Sequence, residues 1–144
     1  MNVHDLIRSR DRVFYIHEDL TVHETARYLR DHHLRAVGVL NTVGKLVGAI
    51  SQSDISDKVA AENKCPAWMR VSEIMTRELV IVSPDMALDE CLRRMEKHGI
   101  FHLLVVDAAE TFHGMISVTD LLELIASDQK ARADMLEAFV FPQR

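Results

Sequence analysis

The 144-residue sequence predicts an α+β fold with α/β-like element order, in which two β-α-β-β-α repeats pack as a pseudo-two-fold pair followed by a C-terminal helix. Three observations predict it. The stretch "GAISQSD" (48–54) returns 66 positions later as "GMISVTD" (114–120). Sliding the chain by 66 aligns residues 15–60 with 81–126 without a gap and gives ten identities, against about three from average residue usage. Among them are Glu24/Glu90, Gly48/Gly114, Ser51/Ser117 and Asp54/Asp120. Upstream, "VHDLI" (3–7) resembles "VSEIM" (71–75) at an offset of 68, so a two-residue length difference lies between. A fixed internal period signals duplicated supersecondary units. One unit of this size cannot cover its own sheet and helices, whereas two packed together can.

The elements follow in order. "RVFYI" (12–16) and "LVIV" (79–82) are short β-branched and aromatic runs bounded by polar residues, so they read as strands. Thr21 and Glu24 form the S/T-x-x-E capping pattern of a helix that puts Val22, Ala26 and Leu29 on one face. The second repeat offers Leu88, Cys91, Leu92 and Met95. "AVGVL" and "HLLVV" are apolar without alternation, as buried strands are. "TVGK" and "DAAET" read as hairpin turns into "LVGAIS" and "FHGMIS". A second helix is expected to start at or just after each of Asp54 and Asp120. The divisions are repeat 1 at 1–62, a connector at 63–70 containing Asn63 and Pro66, repeat 2 at 71–126, and a helical tail at 127–144. The tail carries an apolar stripe through Ile125, Ala131, Met135, Leu136 and Phe139. That stripe suits either the chain's own core or a partner.

Composition narrows the function classes. Hydrophobic residues at 48% and charged residues at 27% are ordinary for a globular chain. A net charge of −5 argues against broad electrostatic binding to nucleic acid. The start "MNVHDLIRSRDR" has no apolar core of a signal peptide, and no apolar run approaches the roughly 18 residues of a membrane span. Cys65 and Cys91 make neither a disulfide framework nor a zinc motif, so a cytoplasmic chain with reduced cysteines is expected. His32, His33, His98 and His102 lack the spacing of a metal site, and no metal is expected. G-x-S-x-G, Walker and G-x-G-x-x-G motifs are absent, which points away from an enzyme.

The repeated motif carries chemistry of its own. Ser51, Ser53 and Asp54, and likewise Ser117, Thr119 and Asp120, stand at strand-to-helix junctions, where unpaired helix-start N–H groups face outward. A carboxylate accepts two hydrogen bonds at once, which suits vicinal ribose hydroxyls, and the serine and threonine hydroxyls suit a phosphate or sugar. The same residue types are preferred helix caps, so each junction also reads as a structural cap. Duplication of two hydroxyls and a carboxylate in one order favours a site.

With the segments "VSEIM", "PDMALDECLRRMEKHGIFHLLVVD" and "FHGMISVTDLLELI", the second half resembles a cystathionine β-synthase (CBS) domain. "VHDLI", "EDLTVHETARYLRDHHLRAVGVLN" and "KLVGAISQSDISDKV" resemble another, so the likeness covers residues 3 to about 126. The whole is similar to small bacterial proteins made of one tandem CBS pair and a C-terminal helix. The resemblance implies a non-catalytic regulatory module that binds AMP, ATP or another adenosine compound, requires no cofactor, and associates as a homodimer. It also implies sites built across the repeats. One would combine Ser117, Thr119 and Asp120 with His17, Leu34, Arg35 and Ala36. The other would combine Ser51, Ser53 and Asp54 with Ser83, Ile100, Phe101 and His102. The sequence departs from the family at Gly38 and Leu104, where proline is common, and at Asn41, which matches Asp107. Arg35 can grip a phosphate bidentately, whereas Phe101 at the matching position can only stack or block. The Asp120 site is therefore expected to bind a charged phosphate better. The competing readings are an interaction scaffold with empty clefts that acts through a regulated protein partner, and a metal-assisted hydrolase.

Overall fold

A computed structural model describes residues 1–127, together with Asp134 and Glu137. It contains two three-stranded sheets of the same design. In the first, β1 (Tyr15–His17) runs parallel to β2 (Ala36–Leu40), which pairs antiparallel with β3 (Leu46–Ser51). Helix α2 (Val22–Asp31), preceded by α1 (Val3–Ile7), supplies the right length of chain to bring β2 back beside β1. Helix α3 (Gln52–Ile55), continued by a π-helical turn at Ser56–Ala60, follows β3. The second sheet repeats the order with β4 (Ile81–Val82), β5 (His102–Val106) and β6 (Phe112–Ser117), flanked by α4 (Leu88–His98) and α5 (Val118–Ile125).

The 66-residue period survives into the hydrogen-bond register. Val39 faces Gly48 as Val105 faces Gly114, and each ladder slips at the same place, after Val39 and after Val105. The turns match as well. Asn41 Oδ1 accepts from the N–H groups of Val43 and Lys45, and Asp107 Oδ1 accepts from Ala109 and Thr111. Asn41 thus does the turn work of Asp107 without the charge.

The first strand of each repeat is shorter than its apolar run. Phe14 leaves the sheet to pack its ring against Tyr28 and His32 at 6.5 and 5.1 Å, with the Arg12 guanidinium 4.6 Å from its centre. Only Tyr15–His17 remains in the ladder. Helix α2 is capped as its sequence predicts, Thr21 Oγ1 accepting from the N–H of Glu24. Its buried face differs by one position: Thr25 is fully buried and Ala26 only half so. The Thr25 hydroxyl is accommodated by donating to the Thr21 carbonyl at 2.9 Å, which removes the cost of burying it. In the second repeat Ala87 occupies the cap position with no side-chain hydrogen bond.

The two repeats exchange their leading segments. Helix α1 packs into the second repeat's core, where Val3 and Leu6 join Val82, Leu88 and Ile116. Val3 and His4 donate their N–H groups to the carbonyls of Met86 and Pro84 at 2.9 and 2.8 Å. Reciprocally, Val71, Ile74 and Met75 join Ile16, Val22 and Ile50 in the first repeat's core. A third cluster, Leu40, Leu104 and Phe112, closes the space between the sheets. Gly38 belongs there because a Cβ would lie 2.5 Å from Phe112 Cζ. Cys91 is buried and Cys65 exposed, and both are free thiols; burial pushes the Cys91 thiol up to about 11, so it stays protonated. The expected tail at 127–144 lies outside the described residues apart from Ser127, Asp134 and Glu137.

Candidate functional site

Both strand–helix junctions are closed by reciprocal capping boxes. The Asp54 N–H donates to Ser51 Oγ at 3.2 Å while the Ser51 N–H donates to Asp54 Oδ2 at 3.0 Å. In the other repeat Asp120 donates to Ser117 Oγ at 3.1 Å and receives the Ser117 N–H at 2.8 Å. Each helix therefore starts one residue after its serine and two before the aspartate at or just after which the sequence had placed it, with the aspartate at the third helical residue. The reason is local: serine as cap and a carboxylate three residues on satisfy two otherwise orphaned donors together. Capping consumes one oxygen of each carboxylate and leaves the other for different partners.

The two junctions face one cleft of about 1490 Å³ between the repeats. Ligand pockets commonly measure about 300–1,000 Å³, so this one has room for a nucleotide and more. Of the residues proposed from sequence, Leu34, Arg35, Ala36, Ser51, Ser53 and Asp54 line it from the first repeat. Ile100, Phe101, His102, Ser117, Thr119 and Asp120 line it from the second. His17 and Ser83 do not. His17 lies exposed at the end of β1 with its ring 5.9 Å from Tyr15, and Ser83 is exposed beyond β4, where its carbonyl accepts from Met86.

Within the cleft, backbone hydrogen bonds and strand register fix the entering segments. The Arg35 carbonyl accepts from Gln52 at 2.9 Å and the Phe101 carbonyl from Val118 at 3.0 Å, so each entering segment is tied to its own repeat's junction. His102, expected beside Asp54, pairs in register with Ser117 and feels the charges of Asp120 and Arg35. Burial holds its imidazole below the ordinary histidine range, partly offset by Asp120 and assisted by Arg35, so the ring is neutral near pH 7.

Three side chains that meet the two carboxylates escaped sequence reasoning. Arg10 Nη2 lies 3.0 Å from Asp120 Oδ2, and its Nη1 donates to the Met115 carbonyl at 2.7 Å. Lys58 Nζ lies 3.1 Å from Asp54 Oδ1 and donates to the Ile74 carbonyl at 2.8 Å. The Thr76 hydroxyl approaches the same Asp54 oxygen at 3.4 Å. Lys58 stands four residues after Asp54, the spacing of a helical ion pair, and was findable on that ground. Arg10 is 110 residues from its partner, and only the two-residue length difference between repeats pointed to its segment. No group of three metal-ligating side chains converges among the described residues, and no helix there is long and apolar enough to cross a membrane.

A duplicated unit with exchanged leading segments, two capped junctions and one shared cleft defines a paired-repeat module. The chain belongs to the CBS domain family, matching it twice, at residues 3–61 and 71–127. Such pairs are regulatory. In fold it is similar to a putative signal-transduction protein with CBS domains from Burkholderia ambifaria, with a TM-score of 0.81 at 24% identity over 90% of this chain and 96% of that one. It is also similar to the CBS domain pair of protein MJ0100, whose structure is a complex with 5′-methylthioadenosine and S-adenosyl-L-methionine. That likeness has a TM-score of 0.77 at 28% identity over 88% of this chain and 97% of that one. Among curated relatives, an uncharacterized protein of Methanocaldococcus jannaschii is 29% identical over 79% of this chain, which spans 36% of that protein. A homoserine O-acetyltransferase of Methanococcoides burtonii is 33% identical over 80% of this chain, which spans 22% of it. The chain thus matches a minor part of each.

Proposed function

We propose that this chain is a cytoplasmic, non-catalytic sensor whose inter-repeat cleft binds an adenosine compound such as AMP, ATP or S-adenosylmethionine. Ligand would favour one packing of the repeats and so alter contacts with a second copy or a regulated protein. The observation that carries the reading is the pair of junctions facing one cleft, each presenting a carboxylate, a cap hydroxyl and helix-start N–H groups. The adenosine ligands of the similar MJ0100 pair support the ligand class. Homodimerisation belongs to the same proposal, and sedimentation equilibrium of the full chain tests it.

Thermal unfolding against AMP, ADP, ATP, S-adenosylmethionine and 5′-methylthioadenosine tests ligand binding. Ligand at 100 times its dissociation constant stabilises by about 2.7 kcal/mol, a readily seen shift in melting temperature. Asp54→Asn and Asp120→Asn keep an oxygen for the capping bond while removing the charge. A shift abolished by either variant supports the cleft; no shift with any compound returns the chain to the scaffold reading, for which the 66% exposed Phe101 ring offers a contact surface.

A further inference from the structure

The two carboxylates at the cleft are in different states. Both Asp54 oxygens are engaged: Oδ2 by the Ser51 N–H and hydroxyl, Oδ1 by Lys58 and Thr76, and its side chain is 14% exposed. Asp120 uses Oδ2 for both the Ser117 N–H and Arg10. Its Oδ1 has no hydrogen-bond partner among the described residues, and the side chain is 36% exposed. A ribose can approach the second carboxylate without breaking an existing bond, whereas at the first it must displace an ammonium and a hydroxyl.

The charges around them differ in the same sense. At the 66-residue offset, cleft-lining Arg12 is matched by cleft-lining Glu78, and Arg35 by Phe101. A carboxylate repels phosphate and a phenyl ring cannot pair with it, so the first repeat supplies cations where the second supplies none. Arg10 adds a further guanidinium beside Asp120. Two of its five N–H donors are used, on Met115 and Asp120, and the rest remain for an anion.

The difference has an architectural origin. Met115 matches Ala49 at the repeat offset. Ala49 exchanges backbone hydrogen bonds with Thr76 at 2.9 and 2.8 Å, so the chain entering the second repeat docks flat on β3. The chain entering the first repeat is two residues longer, and at Met115 an arginine side chain takes the carbonyl instead. The extra length exchanges a backbone bridge for a guanidinium at the cleft.

Resting on the adenosine reading above, we infer that the cleft is divided: the Asp120 half holds one phosphorylated adenosine ligand per chain with Arg10 reading its phosphate, while Lys58 and Thr76 close the Asp54 half. Calorimetric titration of the full chain with AMP and with 5′-methylthioadenosine, which lacks a phosphate, tests this. One AMP per chain is expected, lost in Asp120→Asn and kept in Asp54→Asn. Arg10→Gln should weaken AMP at least tenfold and change 5′-methylthioadenosine less than twofold. Arg10→Lys, which keeps the charge without the fork, should lie between and serves if the glutamine variant does not fold. Two equal AMP sites, loss of AMP in Asp54→Asn alone, or equal weakening of both compounds by Arg10→Gln would each overturn the division while leaving the adenosine reading intact. Failure of both compounds to bind the unaltered chain overturns the two together.

Discussion

Gly48 and Gly114 occupy the same place in the two repeats, facing Val39 and Val105, yet they are glycines for different reasons. A Cβ on Gly48 would lie 2.5 Å from the Met75 sulfur, because the leading segment of the second repeat packs directly on β3. Gly114 has φ +107°, a backbone conformation that other residues rarely adopt, while the nearest atoms to an added Cβ, on Arg10 and Val13, are 3.6 Å away. The flat docking of Thr76 on Ala49 crowds the first strand; the longer entry past Met115 leaves the second uncrowded but bent. Sequence identity across a duplication therefore marks one position serving two local structures.

The comparison can be broken first at the core, where the halves should behave alike. Ile50 and Ile116 are both fully buried, so Ile50→Ala and Ile116→Ala should each destabilise by about 2–5 kcal/mol in urea titrations. A large inequality would show that one repeat unfolds ahead of the other. Next come the glycines. Gly48→Ala and Gly114→Ala should each cost about 1–3 kcal/mol, the first by overpacking and the second by backbone strain. A double-mutant cycle separates the causes: Met75→Ala should couple strongly to Gly48→Ala, and Arg10→Ala should show no coupling to Gly114→Ala. Coupling in the second cycle would refute the distinction.

Smaller effects follow at the caps and in pH. Ser51→Ala and Ser117→Ala should each lose about 1 kcal/mol of stability, since each removes the hydroxyl that accepts from the aspartate N–H. His102 supplies a pH effect that the first repeat lacks, because Ala36 holds its place there. Its folded pKa lies below the ordinary value of 6.5, so below that pH the unfolded chain takes up the proton more readily. Stability should therefore be fully present above about pH 6.5 and fall as the solution is acidified, and His102→Gln should flatten that slope. An unchanged slope in the variant would place the titration elsewhere.

Much of the fold was legible because duplication leaves a record in the sequence: strands, hairpin turns and the α2 cap follow from periodicity and capping chemistry acting over a few residues. The aspartates and hydroxyls of the cleft were legible for the same reason. The helix starts were misplaced because the same residue types serve as cap and as ligand contact, and only backbone geometry shows that Ser51 and Ser117 lead. His17 and Ser83 were carried by resemblance alone, and the ends of β1 and β4 turn out to lie away from the cleft.

By itself, the sequence determined the repeat, its 66-residue period, the buried strands and the two carboxylate-bearing junctions, all set by local hydrogen bonding and apolar pattern. Only the tertiary structure decided which segments are exchanged between the cores, that Arg10 meets Asp120 across 110 residues, and that Lys58 and Thr76 together enclose Asp54. Those outcomes depend on how two packed halves share one cleft, where a two-residue difference in chain length decides whether a backbone edge or a guanidinium arrives.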